Sequence, residues 1–165
     1  MTPNPLVPNA NLKAFLATIR HSEGTDKYAN PYAVCFEGKF IIEDFSDHPA
    51  VLGTWHGEPL DFLGPQYAGK VSTAAGAFQL IRPTWLGCKA AMHLPDFSPA
   101  SQDAAAAYLI STKKAMNLVT SGQISAAITL CSGLWASLPG SQSGQPQTKM
   151  ASLIQAYTTA GGGFA

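Results

Sequence analysis

A chain of 165 residues that is 46% hydrophobic and 12% charged can bury a real core, and it lies outside the charged, apolar-poor range of disordered sequences. Ten basic residues against ten acidic ones leave no formal net charge, which argues against nucleic acid or an anionic membrane surface as a partner. Cys35, Cys88 and Cys131 are odd in number and widely spaced, so neither a disulfide framework nor a CxxC-type metal site is expected; they read as buried, reduced thiols.

The first ten residues, within "MTPNPLVPNANLK", read as a flexible Pro/Asn leader ahead of a single domain over 11–165. Prolines stand where an export signal would carry basic residues and an apolar core, and no run approaches the ~20 apolar residues of a membrane span. Synthesis and retention in the cytoplasm are expected, without membrane insertion. Leu12, Phe15, Leu16 and Ile19 then recur at helical spacing, with Asn11 as an N-cap and Gly24 as the stop, which predicts a helix over about 11–23. Glu23 follows Leu12 by eleven residues; at roughly 100° per residue it returns to within ~20° of the apolar face. The apolar stripe delivers a carboxylate inward.

Aromatic and β-branched residues from Tyr32 to Phe45, broken at Glu37-Gly38, predict a hairpin pairing 33–36 with 39–43, and no other sheet is expected. The stretch from Pro49 to Ser72 is rich in Gly, Pro and aromatics without a clean period, which makes 50–71 a candidate lid. Trp55, Phe62 and Tyr67 within it read either as a satellite cluster or as a ligand-contacting lip. Beyond it, Pro83 and Pro99 are placed to start helices at N1, Ser98 to cap one, and 100–116 is alanine-rich helix former. Further helices are predicted over about 123–133 and 146–160, the last ended by Gly161-Gly162-Gly163.

Several residues carry two readings. Gly76 suits a tight turn or a close backbone approach to ligand. Gln79, just before an apolar helix, needs a protein or ligand partner, because an unpaired buried amide costs ~1–3 kcal/mol. Trp135 reads as core or as a face beside a Gly/Ser loop, whereas Phe78 and Trp85 read as core. Asp44 and Asp47 read as turn caps or as reactive carboxylates. His21, His48, His56 and His93 form no HExxH or comparable spacing, so no metal is expected and neither a zinc peptidase nor a Cys/His peptidase is supported.

Five stretches are family-specific: "SEGTD" at 22–26, "DFSDHP" at 44–49, "STAAGAFQL" at 72–80, "DFSPASQDA" at 96–104 and "CSGLWASLPG" at 131–140. In this order, from Phe15 to Gly162, the chain resembles the lambda-type phage lysozymes, endolysins of the lysozyme-like superfamily that act as lytic transglycosylases. The resemblance implies a lysozyme-like α+β fold, mainly helical, with a small antiparallel sheet and a cleft between sheet and helices. It makes Glu23 the catalytic acid and Ser72, Gln79, Trp135 and Ser137 substrate-binding residues, with no cofactor. It implies peptidoglycan glycan strands as partner and dependence on a holin-type pore: host cytoplasm before lysis, periplasm at work; a monomer is expected, since a cleft enzyme facing a polymer sheet gains little from a buried oligomer interface. The 50–71 stretch departs most from the family, and Ser143 stands where the family has a tyrosine.

The implied chemistry suits the residues. Cleaving a β-1,4 glycosidic bond needs a neutral carboxylic acid, and a glutamate of ordinary pKa ~4.3 is protonated only about 0.2% of the time at pH 7. Desolvation to a pKa of ~6 would make that about 9%. A hydrolase usually adds a second carboxylate, for which Asp26, Asp44 and Asp47 are the candidates. T-even phage lysozymes carry an aspartate nine residues after their glutamate, where this chain has Tyr32. That favours the substrate's own 6-hydroxyl as nucleophile and a 1,6-anhydromuramyl product, with a hydrolytic muramidase and a non-catalytic wall-binding module as the alternatives.

Overall fold

The first helix, α1, runs Ala10–Glu23 and buries Ala14, Phe15, Leu16, Thr18, Ile19 and Ser22, the face foreseen from the apolar spacing. The structure, a computed structural model, describes residues 9–165; most of the expected leader lies outside the described residues, and Ala10 already belongs to the helix. The cap differs from expectation. Asn9, not Asn11, accepts the backbone N–H groups of Asn11 and Leu12 through Oδ1, at 2.9 and 3.2 Å, which satisfies two of the donors a helix start leaves open. Asn11, the second helical residue, is drawn into tertiary bonds: its Nδ2 donates to the Thr120 carbonyl at 3.1 Å and its Oδ1 accepts from Gly163 N–H at 2.8 Å.

The chain divides into two compact units, one comprising the described residues up to Ser22 together with Ile110–Ala165, the other Glu23–Leu109. In the first, α1 is joined by α5 (Met116–Thr120), α6 (Ile124–Cys131) and α7 (Met150–Thr159). α6 packs against both α5 and α7. Its core holds Phe15, Ile19, Val119, Ile128, Cys131, Trp135, Leu138, Leu153 and Tyr157. Helix α7 ends as its glycines predict: Gly162 N–H bonds the Tyr157 carbonyl and Gly161, at φ 86°, bonds that of Thr158, the paired bonds of a Schellman terminus. α5 was not foreseen; the alanine-rich helix α4 (Pro99–Thr112) stops short of 116, and Lys114 turns left-handed at φ 58°.

The second unit holds the hairpin, β1 (Val34–Cys35) pairing antiparallel with β2 (Phe40–Ile41) in the register Val34↔Ile41. It also corrects the expectation of one sheet: β3 (Glu58–Pro59) pairs antiparallel with β4 (Val71–Ser72). Gly57, at φ 92°, lies against the Ser72 carbonyl so closely that a Cβ would collide with it, and Leu60 N–H bonds the Lys70 carbonyl at 2.8 Å. The ladder is too short for an alternating pattern to register in sequence. Short helix α2 (Pro49–Leu52) precedes it and α3 (Arg82–Met92) follows, with Pro83 one residue inside the start. Pro99 begins α4, and the Ser98 hydroxyl accepts from Ser101 N–H at 3.4 Å.

Aromatic edges organise this unit's core. Phe97, fully buried, meets Trp85 edge to face at 4.7 Å between ring centroids and His48 at 5.0 Å, geometries that add to the burial of the rings themselves. All three cysteines are buried and reduced, and burial pushes the Cys35 and Cys131 thiols up to about 12 and about 11.

Candidate active site

Glu23 is the last residue of α1 and is half-buried. Gly24, at φ 71° and ψ 13°, takes the left-handed conformation that ends a helix at little steric cost. The chain beyond it is held at once: Thr25 is 1% exposed, and its hydroxyl donates to the Ala77 carbonyl at 2.8 Å. Within the second unit, this bond brings the carboxylate's backbone to the 74–80 turn, which carries Gln79.

That turn is built around close approaches. Gly76 N–H donates to the Val34 carbonyl at 2.8 Å, and Ala75 and Leu80 exchange backbone bonds. Gly76 sits at φ 76° with the Gln102 side chain so near that a Cβ would clash with Oε1. Gln102, fully buried, accepts Ala77 N–H at 2.8 Å and donates through Nε2 to the carbonyls of Tyr32 at 3.1 Å and Phe97 at 2.8 Å. The glycine is therefore a tight turn, and its close neighbour is this amide. Gln79 has φ 47°, unusual for a residue with a side chain. Its Nε2 donates to the carbonyls of Val34 at 3.0 Å and Gly76 at 2.8 Å, so the NH2 end is occupied by protein. Ser72, half-buried on β4, accepts Ala74 N–H through its hydroxyl at 3.3 Å.

The acidic candidates differ in their commitments. Asp44 holds the following turn by accepting Ser46 N–H at 2.8 Å, and that backbone bond, with the Ser46 hydroxyl, keeps its carboxyl below the usual range. Asp47 accepts from Trp85 Nε1 at 2.7 Å, from His48 N–H at 2.8 Å and from the Lys89 ammonium. Burial works to raise its pKa, but the Lys89 and Trp85 hydrogen bonds, the His48 N–H and the lysine charge outweigh it. Both residues thus act as caps and struts. Asp26 is exposed on the 3-10 turn Thr25–Lys27.

In the first unit, Trp135 is 4% exposed and belongs to the core. Ser137 Oγ lies 2.7 Å from Ser22 Oγ. The 137–148 segment forms a loop closed at its base by Thr148 N–H donating to the Ser137 carbonyl at 2.7 Å. Ser143 receives Gln145 N–H at 3.2 Å and bonds the Ser141 hydroxyl at 3.1 Å. Trp55 is 8% exposed and stacks on Phe40 with centroids 6.3 Å apart, while Phe62 is 66% exposed and pairs edge to face with Phe36 at 6.2 Å. The satellite-cluster reading therefore fits Trp55.

Three residues that matter to this geometry were not singled out from sequence: Thr25, Gln102 and Thr148. Thr25 and Gln102 lie inside quoted motifs, which was the available signal; Thr148 lies in a Gln/Pro-rich loop and had none. Among the described residues, no group of three or more His, Cys, Asp or Glu side chains is placed to hold a metal ion.

Comparison with known proteins gives this arrangement its context. The family model "Endolysin" matches residues 13–164. The endolysin of Escherichia phage lambda is 39% identical over 158 residues, covering 93% of each chain. That of Escherichia phage P2 is 36% identical over 160 residues, covering 92% of this chain and 93% of its own. Among solved structures, bacteriophage lambda lysozyme complexed with a chitohexasaccharide matches with a TM-score of 0.83 and 36% identity, over 97% of this chain and 99% of that one. A further structure of lambda lysozyme gives 0.79 and 35% over the same shares. The sequence and the fold agree, and the chain belongs to the endolysin family, with a lysozyme fold.

Proposed function

We propose that this endolysin cleaves the β-1,4 bond between N-acetylmuramic acid and N-acetylglucosamine of peptidoglycan as a lytic transglycosylase, with Glu23 as its acid and base. Glu23 protonates the leaving glycosidic oxygen. As a carboxylate it then takes the proton from the muramyl 6-hydroxyl while that oxygen bonds C1 and closes the 1,6-anhydro ring. No water is consumed and one acid–base residue suffices.

The observation that supports this most is the occupation of two of the three rival carboxylates, Asp44 and Asp47. Asp47 is tied to Trp85, His48 and Lys89, and Asp44 to its own turn, whereas a hydrolase needs a second carboxyl ~5–9 Å from the first, free to attack or to activate water. Position 32, where a T-even-type nucleophile would fall, is a tyrosine whose hydroxyl donates to Asp103 at 3.0 Å. Gln79 and Ser72 are the glycan contacts of the second unit, Gln79 on a turn that Gln102 braces. The chitohexasaccharide complex of the lambda relative supports an extended amino-sugar ligand here.

Digestion of purified murein in heavy-oxygen water tests the mechanism. Anhydromuramyl ends without label, lighter than reducing ends by one water (roughly 18 Da by stoichiometry), are expected; labelled reducing ends as the main product would establish the hydrolytic muramidase instead. In the cell, the enzyme acts as a monomer and reaches peptidoglycan through a separate holin-type pore. Expression by itself then leaves cells intact and chloroform triggers lysis; prompt lysis without either would refute the pore requirement.

A further inference from the structure

The C-terminal turn of α1 ends in carbonyls that have no partner within the helix, and such ends fray unless something else bonds them. Here the residue before Glu23 is gripped twice by the base of one loop. Ser22, 8% exposed, has its hydroxyl 2.7 Å from the Ser137 hydroxyl, and its carbonyl accepts from the Thr148 hydroxyl at 3.4 Å. Ser137 and Thr148 are themselves joined by the 2.7 Å backbone bond that closes the loop. The three residues form one ring of hydrogen bonds. At the preceding residue, His21 Nε2 and Ser152 Oγ lie 2.9 Å apart, a further tie between the end of α1 and α7.

We propose that Ser22, Ser137 and Thr148 form a clamp that sets the position of the Glu23 carboxyl, so that Ser137 is a positioning residue acting through Ser22. The inference rests on Glu23 being the acid. The loop beyond the clamp is of a different character: Gly140 N–H bonds Gln147 Oε1, Gln147 Nε2 bonds the Ser141 carbonyl, and Gln142, Gly144, Pro146 and Gln147 are exposed. A tip built from polar side chains and backbone has little burial to hold it, so its base must be fastened elsewhere, and it is fastened to Ser22. Because Glu23 continues the same helix, an error at Ser22 carries directly to the acid, and misplacement of a reacting group by about 1 Å costs on the order of 10²-fold in rate.

A double-mutant cycle on the full chain tests this, with soluble uncrosslinked murein strands as substrate and thermal midpoints measured in parallel. Ser22→Ala and Ser137→Ala should each lower kcat by about three- to tenfold, the range of one lost hydrogen bond, with KM nearly constant. The double variant should be no slower than the slower single one, and the pH profile of kcat should shift in all three. Thr148→Val should lose kcat as they do, and Thr148→Ser, which keeps the hydroxyl, should recover it. Losses that multiply in the double variant, or a Ser137→Ala loss confined to KM, would overturn the clamp and make Ser137 a direct sugar contact. Losses that follow only falling thermal midpoints, with an unchanged pH profile, would overturn it as well. Glu23→Gln separates the two claims: if that variant stays active the acid assignment fails whatever the cycle shows, and if it is inactive while the cycle shows no coupling, the clamp alone fails.

Discussion

Glu23 and Gln102 illustrate two ways in which a polar side chain can be used. Glu23→Gln keeps the shape and removes the transferable proton. It should fold with an unchanged thermal midpoint and lose 10²–10⁴-fold in murein cleavage, the usual worth of a general acid; more than a tenth of wild-type turnover would contradict the assignment. Gln102 touches no reacting group in this reading, yet its removal should be the costlier for stability. Gln102→Leu leaves Ala77 N–H and the Tyr32 and Phe97 carbonyls without their partner. At about 1–3 kcal/mol for each buried group left unpaired, urea denaturation should show a loss of about 3 kcal/mol or more. Activity should fall with it, because the same amide holds the turn beneath Gln79.

Among the elements, the second hairpin departs most from what its sequence suggested. The aromatics of 50–71 divide by burial, so their truncations should divide too. Trp55→Ala removes a buried ring stacked on Phe40 and should cost about 3 kcal/mol or more in chemical denaturation. Phe62→Ala, at an exposed position, should stay within about 0.5 kcal/mol of wild type. The segment also has fixed backbone partners, Leu60 with Lys70 and β3 with β4. Amide exchange should therefore be slow at these paired positions. A lid made of this stretch would move as a folded hairpin.

For the molecule as a whole, a buried histidine sets the expected response to acid. His48 is fully buried, its Nε2 bonds the Leu80 carbonyl at 2.8 Å, and its Nδ1 accepts Ala50 N–H at 3.1 Å as the cap of α2. An acceptor at Nδ1 requires the neutral Nε2–H tautomer. Burial lowers its pKa below the ordinary 6.5, more than the Leu80 carbonyl and the neighbouring Asp47 charge raise it, with Arg82 acting in the same direction as burial. The unfolded chain therefore binds this proton first as pH falls. The histidine's contribution to stability is complete above about 6.5 and is lost on going down through its native pKa. Asp44, Asp47 and Asp96, all held below the usual carboxylate range, add losses at lower pH, below about 4. Thermal midpoints should thus begin to fall below pH 6.5, and His48→Gln, which retains a donor towards Leu80 but has no such titration, should flatten that first decline.

Local physics made part of this legible in the residues alone. The apolar spacing of α1, the glycine after Glu23, the β-branched hairpin with its Glu-Gly turn, Pro99 with Ser98 before it, and the glycines after α7 each depend on contacts within a few residues, and each appears where the sequence indicated. The quoted motifs carried the family. Tertiary structure decided the rest. Asn9 caps α1 because Asn11 is taken by Thr120 and Gly163, more than a hundred residues away. β3 and β4 pair across 59–71 with ladders too short to leave a period. The roles of Gln102, Asp47 and Thr148 come from partners distant in sequence. A hydrogen bond depends on where two groups meet in space, and a single chain read in order contains the period of a helix but not the partner of a side chain.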